Sequence, residues 1–129
     1  MAGTAATNIR SYRDLKVWQQ AMEVIPDVYE SIRKLPKEEN YALADQIRRA
    51  AVSIPANIAE GHARAHRKEY LQFLSIARGS LAELATLLEI AHRLGYLPVN
   101  SHEALQRSID NLNPRLNALI TTLKSKPEP

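Results

Sequence analysis

The sequence predicts an all-α protein, an antiparallel up-down four-helix bundle, and three observations carry that reading. Apolar residues recur at steps of three and four in four separate stretches, the pattern of amphipathic helices. The breaks between the stretches are short and marked by proline or glycine, which makes neighbouring helices antiparallel. No sustained period-two alternation occurs, and Leu and Ala outweigh the β-branched residues that favour strands. A chain of 129 residues is the size of one domain and long enough to bury one core.

The first helix carries Leu15, Trp18, Ala21, Met22, Ile25, Val28, Tyr29 and Ile32 as its expected buried stripe. Pro26 lies within it and predicts a kink, and Pro36 closes it. The second helix is expected to open near Lys37-Glu38-Glu39, where acids suit the positive helix end, and to stop at Gly61. Its stripe is Leu43, Ala44, Ile47, Ala51, Ile54 and Ile58. The third begins within residues 62–68 and runs to Gly95, burying Tyr70, Phe73, Leu74, Ala77, Leu81, Leu84, Leu88 and Ala91. Asn100 or Ser101 is the expected cap of the fourth, whose stripe is Leu105, Ile109, Leu112, Leu116, Leu119 and Leu123. The expected organisation is a disordered N-terminal arm over 1–11, the bundle over 12–124 and a flexible tail over 125–129.

Composition removes several functions. Hydrophobic residues at 45% and charged residues at 24% are ordinary for a globular chain and argue against disorder. The absence of cysteine excludes disulfides, zinc thiolate sites and thiol catalysis. The first ten residues have neither the basic nor the apolar region of a secretory signal, and no apolar run approaches the roughly 20 residues of a membrane span. A cytoplasmic location is the expectation.

Catalytic constellations are poorly represented. Glu89-Ile-Ala-His92 is a single Glu-x-x-His, the unit that di-iron bundles use twice, and no second copy or supporting inward carboxylates accompany it. His62 and His66 are spaced for one helix face but lie among cations, and Ala63 stands where a zincin needs glutamate. Ser53, Ser75 and Ser80 lack a nucleophile elbow, and four glycines do not build a phosphate-cradling loop. The expectation is a non-enzyme with no cofactor and no metal.

Charge placement is the better lead. Residues 14–45 carry four basic and seven acidic side chains, and residues 46–82 carry six basic and two acidic. The six are Arg48, Arg49, Arg64, Arg67, Lys68 and Arg78, and they form the candidate nucleic-acid-binding set. They grip phosphates if the second and third helices bring them together, without reading bases. A bland alternative pairs Arg48 and Arg49 with Asp45 or with an acidic neighbouring subunit. Trp18 and Tyr29 read as core. Two helices carry surplus apolar residues: Ala42, Val52 and Ala56 on the second, and Ile76, Leu87, Ile90 and Leu94 on the third. Val52, Ala56, Ile76, Leu87 and Ile90 are the candidate oligomer interface, against the alternative of a wider core.

Three stretches resemble one family. They are Tyr12-Arg-Asp-Leu-Lys-Val-Trp18, the run from Gln46 to Gly61 containing Ser53-Ile-Pro-Ala-Asn57, and the run from Glu69 to Leu84. They are similar to the bacterial four-helix bundle proteins first noticed as reading frames within intervening sequences of large-subunit ribosomal RNA genes. Relatives of the retroelement accessory variability determinant belong to the same family. The resemblance covers about residues 11–124 and implies a bundle that assembles as a ring-like pentamer. It implies no established enzymatic activity. For the retroelement relatives it implies a basic surface binding nucleic acid, and a reverse transcriptase partner. Within that frame Pro55 should bend the second helix and free the Ala51 carbonyl, with Ser53 or Asn57 satisfying nearby backbone groups. Gly79 should permit close helix approach, and Glu60 should pair with Arg48, Arg49 or Arg64. The sequence therefore predicts an oligomeric, non-enzymatic bundle that binds RNA or DNA through its basic residues. The alternative is a protein–protein interaction scaffold without nucleic-acid binding.

Overall fold

A computed structural model describes residues 9–127. Four α-helices fill it: α1 (Lys16–Ile32), α2 (Leu43–Ala63), α3 (Arg67–Arg93) and α4 (Val99–Ser125). Short 3-10 turns at Tyr12–Asp14 and Lys37–Glu39 precede α1 and α2, and no strand occurs among the described residues. α1 packs on α2 and α4, and α3 packs on α2 and α4, so the helices form a closed ring in sequence order. The longest seam joins α2 to α3. This is the all-α up-down bundle that the short connections predict. Most of the expected 1–11 arm and the end of the 125–129 tail lie outside the described residues.

The core is one cluster drawn from all four helices. Val28, Ile47, Ile58, Leu74, Leu84, Leu112 and Leu116 are fully buried at its centre. α1 buries Val17, Ala21, Val24 and Val28, which recur at four, three and four residues. Tyr29 and Met22 are exposed rather than core, and Trp18 and Ile25 are half-buried. They form a second strip about 100° round the helix from the buried line. The sequence pattern merged two adjacent strips into one. Leu87, expected on an outer face, is also buried. It lies only about 60° from Leu84 and joins the α3 core line.

The helix ends depart from expectation in three places. α2 does not open at Lys37–Glu39, which forms its own 3-10 turn. Instead the Glu39 carboxylate reaches forward to the Leu43 backbone N–H at 3.4 Å, an acid placed just ahead of the positive helix end. α2 also runs through Gly61 to Ala63, so Gly61 is not its stop. α4 starts at Val99 behind Pro98, whose extended backbone sets the entry, and neither Asn100 nor Ser101 is its cap. Asn100 Oδ1 accepts from the Ser101 N–H inside the first turn, and Ser101 Oγ accepts from Lys34 Nζ across the loop.

α3 ends as expected. Gly95 has φ +82°, the left-handed conformation that glycine adopts without Cβ strain. The Gly95 N–H donates to the His92 carbonyl and the Tyr96 N–H to the Ala91 carbonyl, each at 2.9 Å. That pair of bonds is a Schellman motif and satisfies two otherwise orphaned carbonyls.

Candidate nucleic-acid interface

The α2–α3 seam is built around two departures from ordinary helix sequence. Pro55 is buried inside α2 and removes the N–H that the Ala51 carbonyl would accept. Around it, Asn57 Nδ2 donates to the Ser53 carbonyl and lies 2.8 Å from Ser53 Oγ. Ser53 Oγ also pairs with Ser80 Oγ of α3 at 2.8 Å. Asn57 thus satisfies a backbone carbonyl as expected, though that of Ser53, while Ser53 Oγ bonds side chains and ties the arrangement to Ser80 of the next helix. Gly61 is the site of close approach. A Cβ there would lie 2.8 Å from Phe73 Cβ and 3.0 Å from Tyr70 Cδ1. Gly79, expected in that role, has nothing within 4 Å in this chain. The difference arises because Gly61 faces α3 across the seam, whereas Gly79 points outward.

Arg64 latches the turn that follows. Its guanidinium meets Glu60 at 2.7 Å and Glu69 at 3.9 Å and lies 4.9 Å above the Phe73 ring. Glu60 thus chooses Arg64 among its three expected partners. Arg67, one turn further, donates from Nη1 to the carbonyls of Lys126 and Pro127 at 2.7 and 3.0 Å. It bridges the start of α3 to the end of α4. Lys68 beside it is exposed.

The six basic candidates do not form one patch. Arg48 and Arg49 stand about 24 Å up α2 from Arg64 at the helical rise. Both pair with Asp45, at 3.8 and 3.0 Å, and Arg48 also donates to the Asn40 carbonyl. That is the alternative the sequence offered for them. Arg78 turns toward α4 and donates to Asn117 Oδ1 at 3.2 Å. Only Arg64, Arg67 and Lys68 share the α2–α3 turn.

The bundle nevertheless segregates charge along its axis. One half contains the start of α1, the α2–α3 turn and the end of α4: residues 9–23, 54–78 and 113–127. It holds ten Lys or Arg against four Asp or Glu. The other half, residues 24–53 and 79–112, holds seven against nine. Lys16, Arg115, Lys124 and Lys126 thereby join Lys68 as exposed cations of one end. Sequence reading missed these four because it summed charge along the chain. Up-down topology was the available signal, since it places the first and fourth helix ends beside the second turn.

Two apolar strips remain on the outside. On α2, Val52 and Ala56 are exposed, as are Tyr29 and Met22 on α1. Tyr29 and Val52 share a groove of about 390 Å³ with Asp45, Arg48, Arg49 and Ser53. On α3 and its C-cap, Ile76, Ile90 and Leu94 are exposed at 51%, 40% and 55%, about half their surface in each case. Four of the five interface candidates are thus outward, Leu87 being the exception.

Other chemistry is sparse. His92 and His102 stack with ring centroids 4.7 Å apart and planes 9° from parallel. His92 Nδ1 bonds the Leu97 carbonyl at 3.0 Å. His102 Nε2 lies 3.5 Å from Glu89 without a hydrogen bond. Parallel rings aim their lone pairs side by side rather than at one point, and no metal-holding group of three or more ligands occurs among the described residues. The Arg93 bond, followed by the charges of Arg93 and the two histidines, lowers the Glu89 pKa from the ordinary carboxylate value. Burial pushes the Tyr70 hydroxyl up to about 12, and its Oη has no partner. No helix among the described residues is long and apolar enough to cross a membrane.

No curated protein matches the chain. A solved structure does: a protein of unknown function from the S23 ribosomal protein family of Bacteroides thetaiotaomicron VPI-5482. It is 24% identical, with a TM-score of 0.75, over 81% of this chain and 95% of that one. At that identity the likeness concerns the fold. The model of the 23S rRNA-intervening sequence protein family matches residues 13–118, spanning the opening turn, the Pro55 seam, the Arg64 turn and most of α4. The chain belongs to the 23S rRNA-intervening sequence protein family.

Proposed function

We propose that this chain is a non-enzymatic, cytoplasmic bundle that self-assembles and binds RNA or DNA at its basic end. The observation that carries the reading is the axial charge segregation, ten cations against four anions in the half that holds the α2–α3 turn. A surplus of exposed lysine and arginine on one end attracts phosphates and reads no bases by itself. The contact set moves accordingly from the full list of six to Arg67 and Lys68 with Lys124 and Lys126. Arg64 holds the turn in place, and Arg48, Arg49 and Arg78 are engaged within the chain.

Self-assembly is supported by the outward apolar residues Val52, Ala56, Ile76 and Ile90, which a monomer leaves in water. Two strips on different helices suit a heterologous contact, the kind that closes into the ring-like pentamer that the family resemblance implies. Fluorescence anisotropy with labelled RNA and DNA at about 50 and 200 mM salt tests the binding. Micromolar affinity that weakens steeply with salt is expected; no binding at the lower salt overturns it. Sedimentation of Val52→Asp and Ile76→Asp tests the assembly, with monomers expected. A second reading, a protein-docking scaffold without nucleic-acid contact, draws on the pairing of Arg48, Arg49, Arg64 and Arg78 within the chain. Salt-independent or absent nucleic-acid binding with the oligomer intact favours it.

A further inference from the structure

Arg67 is the one candidate phosphate contact whose guanidinium is occupied by main-chain oxygen from a distant segment. Its Nη1 donates to the Lys126 and Pro127 carbonyls, 59 and 60 residues away, at 2.7 and 3.0 Å. Two carbonyl oxygens on Nη1 occupy donors that a phosphodiester oxygen would otherwise take from the same guanidinium. Among the described residues, Arg64 of the same end pairs close by in the chain, with Glu60 and Glu69. The Arg67 contact instead holds down a short segment beyond the last helix.

The local chemistry makes that segment a strap of defined shape. α4 ends at Ser125, and Lys126 adopts φ −74°, ψ 143°. Pro127 enforces that conformation, because the residue before a proline is pushed to extended backbone. The turn-out aims successive carbonyls back at the start of α3. A tail free to sample helical and coil states would present them only part of the time.

We propose that the C-terminal strap from Lys126 is an autoinhibitory element, which occupies Arg67 with its own carbonyls and is displaced by a nucleic-acid phosphate. The inference rests on the nucleic-acid reading above and adds a regulated state to it. Strap and phosphate compete for the Nη1 donors of Arg67. Displacement frees Arg67, together with the neighbouring Lys126 side chain, to follow the phosphate backbone.

The test uses the full-length chain, a fluorescein-labelled single-stranded RNA and a salt titration. Pro127→Gly keeps length and charge but removes the restraint on Lys126. Its expected result is RNA binding about three- to tenfold tighter at low salt, with a log–log salt slope steeper by about one phosphate contact. The same substitution in an Arg67→Ala background is expected to give no gain, and thermal melts report that each variant is folded. Equal affinity for wild type and Pro127→Gly overturns the strap while leaving the binding end intact. A gain that persists without Arg67 also overturns it. No binding by any variant overturns the nucleic-acid reading and the strap together.

Discussion

The two ends of the bundle are built on different rules. At the end where α1 meets α2 and α3 meets α4, polar bonds cross between loops. Tyr96 Oη donates to Glu39 at 3.1 Å, Lys34 Nζ to Ser101 at 2.9 Å, and His92 stacks on His102 beside the Leu97 carbonyl. Cations and anions there nearly balance. At the α2–α3 end the bonds are mostly local, and cations outnumber anions ten to four among the described residues. One end spends its polar groups on holding loops together. The other accumulates charge that repels itself, an arrangement that works against stability and favours an anionic partner.

The largest expected effect on stability comes from the seam beneath the basic end. Gly61→Val should cost about 3 kcal/mol, because overpacking against Phe73 and Tyr70 has backbone on one side and cannot relax cheaply. Urea denaturation reads it; a loss below about 1 kcal/mol would mean that the seam yields. Next, Lys68→Glu with Lys124→Glu should weaken RNA binding about tenfold or more at low salt. Arg93→Glu with Arg107→Glu, at the balanced end, should change it less than about twofold. Equal losses would erase the functional contrast between the ends. Asn57→Ala should cost about 1 kcal/mol by unseating the bonds to Ser53.

Alkaline pH sharpens the comparison through two tyrosines raised by different causes. Burial holds Tyr70 at about 12 against the unfolded 10.0. The Glu39 carboxylate, bonded to its hydroxyl, raises Tyr96. In the window from 10 to about 12 the folded chain keeps the Tyr70 proton that the unfolded chain has lost. Stability present below pH 10 therefore falls as pH rises through that window. Tyr70→Phe should flatten part of that fall and shift stability at neutral pH by less than about 0.5 kcal/mol. Denaturation midpoints across pH decide it, an unchanged slope counting against burial as the cause. An effect of opposite sign is expected at Gly79: Gly79→Ala should stabilise the monomer by about 0.5–1 kcal/mol, since nothing surrounds that site. Loss of the oligomer in the same variant would place the close approach between copies.

The helices and most of the core were legible because burial has a period and Leu and Ala carry it. A polar role for Ser53 and Asn57 beside Pro55 was also legible, but the carbonyl that Asn57 takes is that of Ser53, not the one freed at Ala51. The reading failed where adjacent strips differ by small rotations, as with Tyr29 and Leu87. It also failed where two glycines of equal standing in sequence, Gly61 and Gly79, face different surroundings. Of the candidate site, Arg64, Arg67 and Lys68 share one turn, whereas Arg48 and Arg49 stand about 24 Å away along α2 and Arg78 reaches across to α4.

The sequence by itself determined four amphipathic helices, short antiparallel connections, the glycine stop at Gly95 and the absence of thiol chemistry. These follow from local periodicity, backbone conformational preference and composition, which act over a few residues. Only the tertiary structure decided which end of the bundle is basic, which glycine lies against a neighbour and what Arg67 holds. Those depend on residues far apart in the chain, such as Arg67 and Lys126, meeting at one place. No local pattern specifies that meeting, because it arises from the packing of all four helices at once.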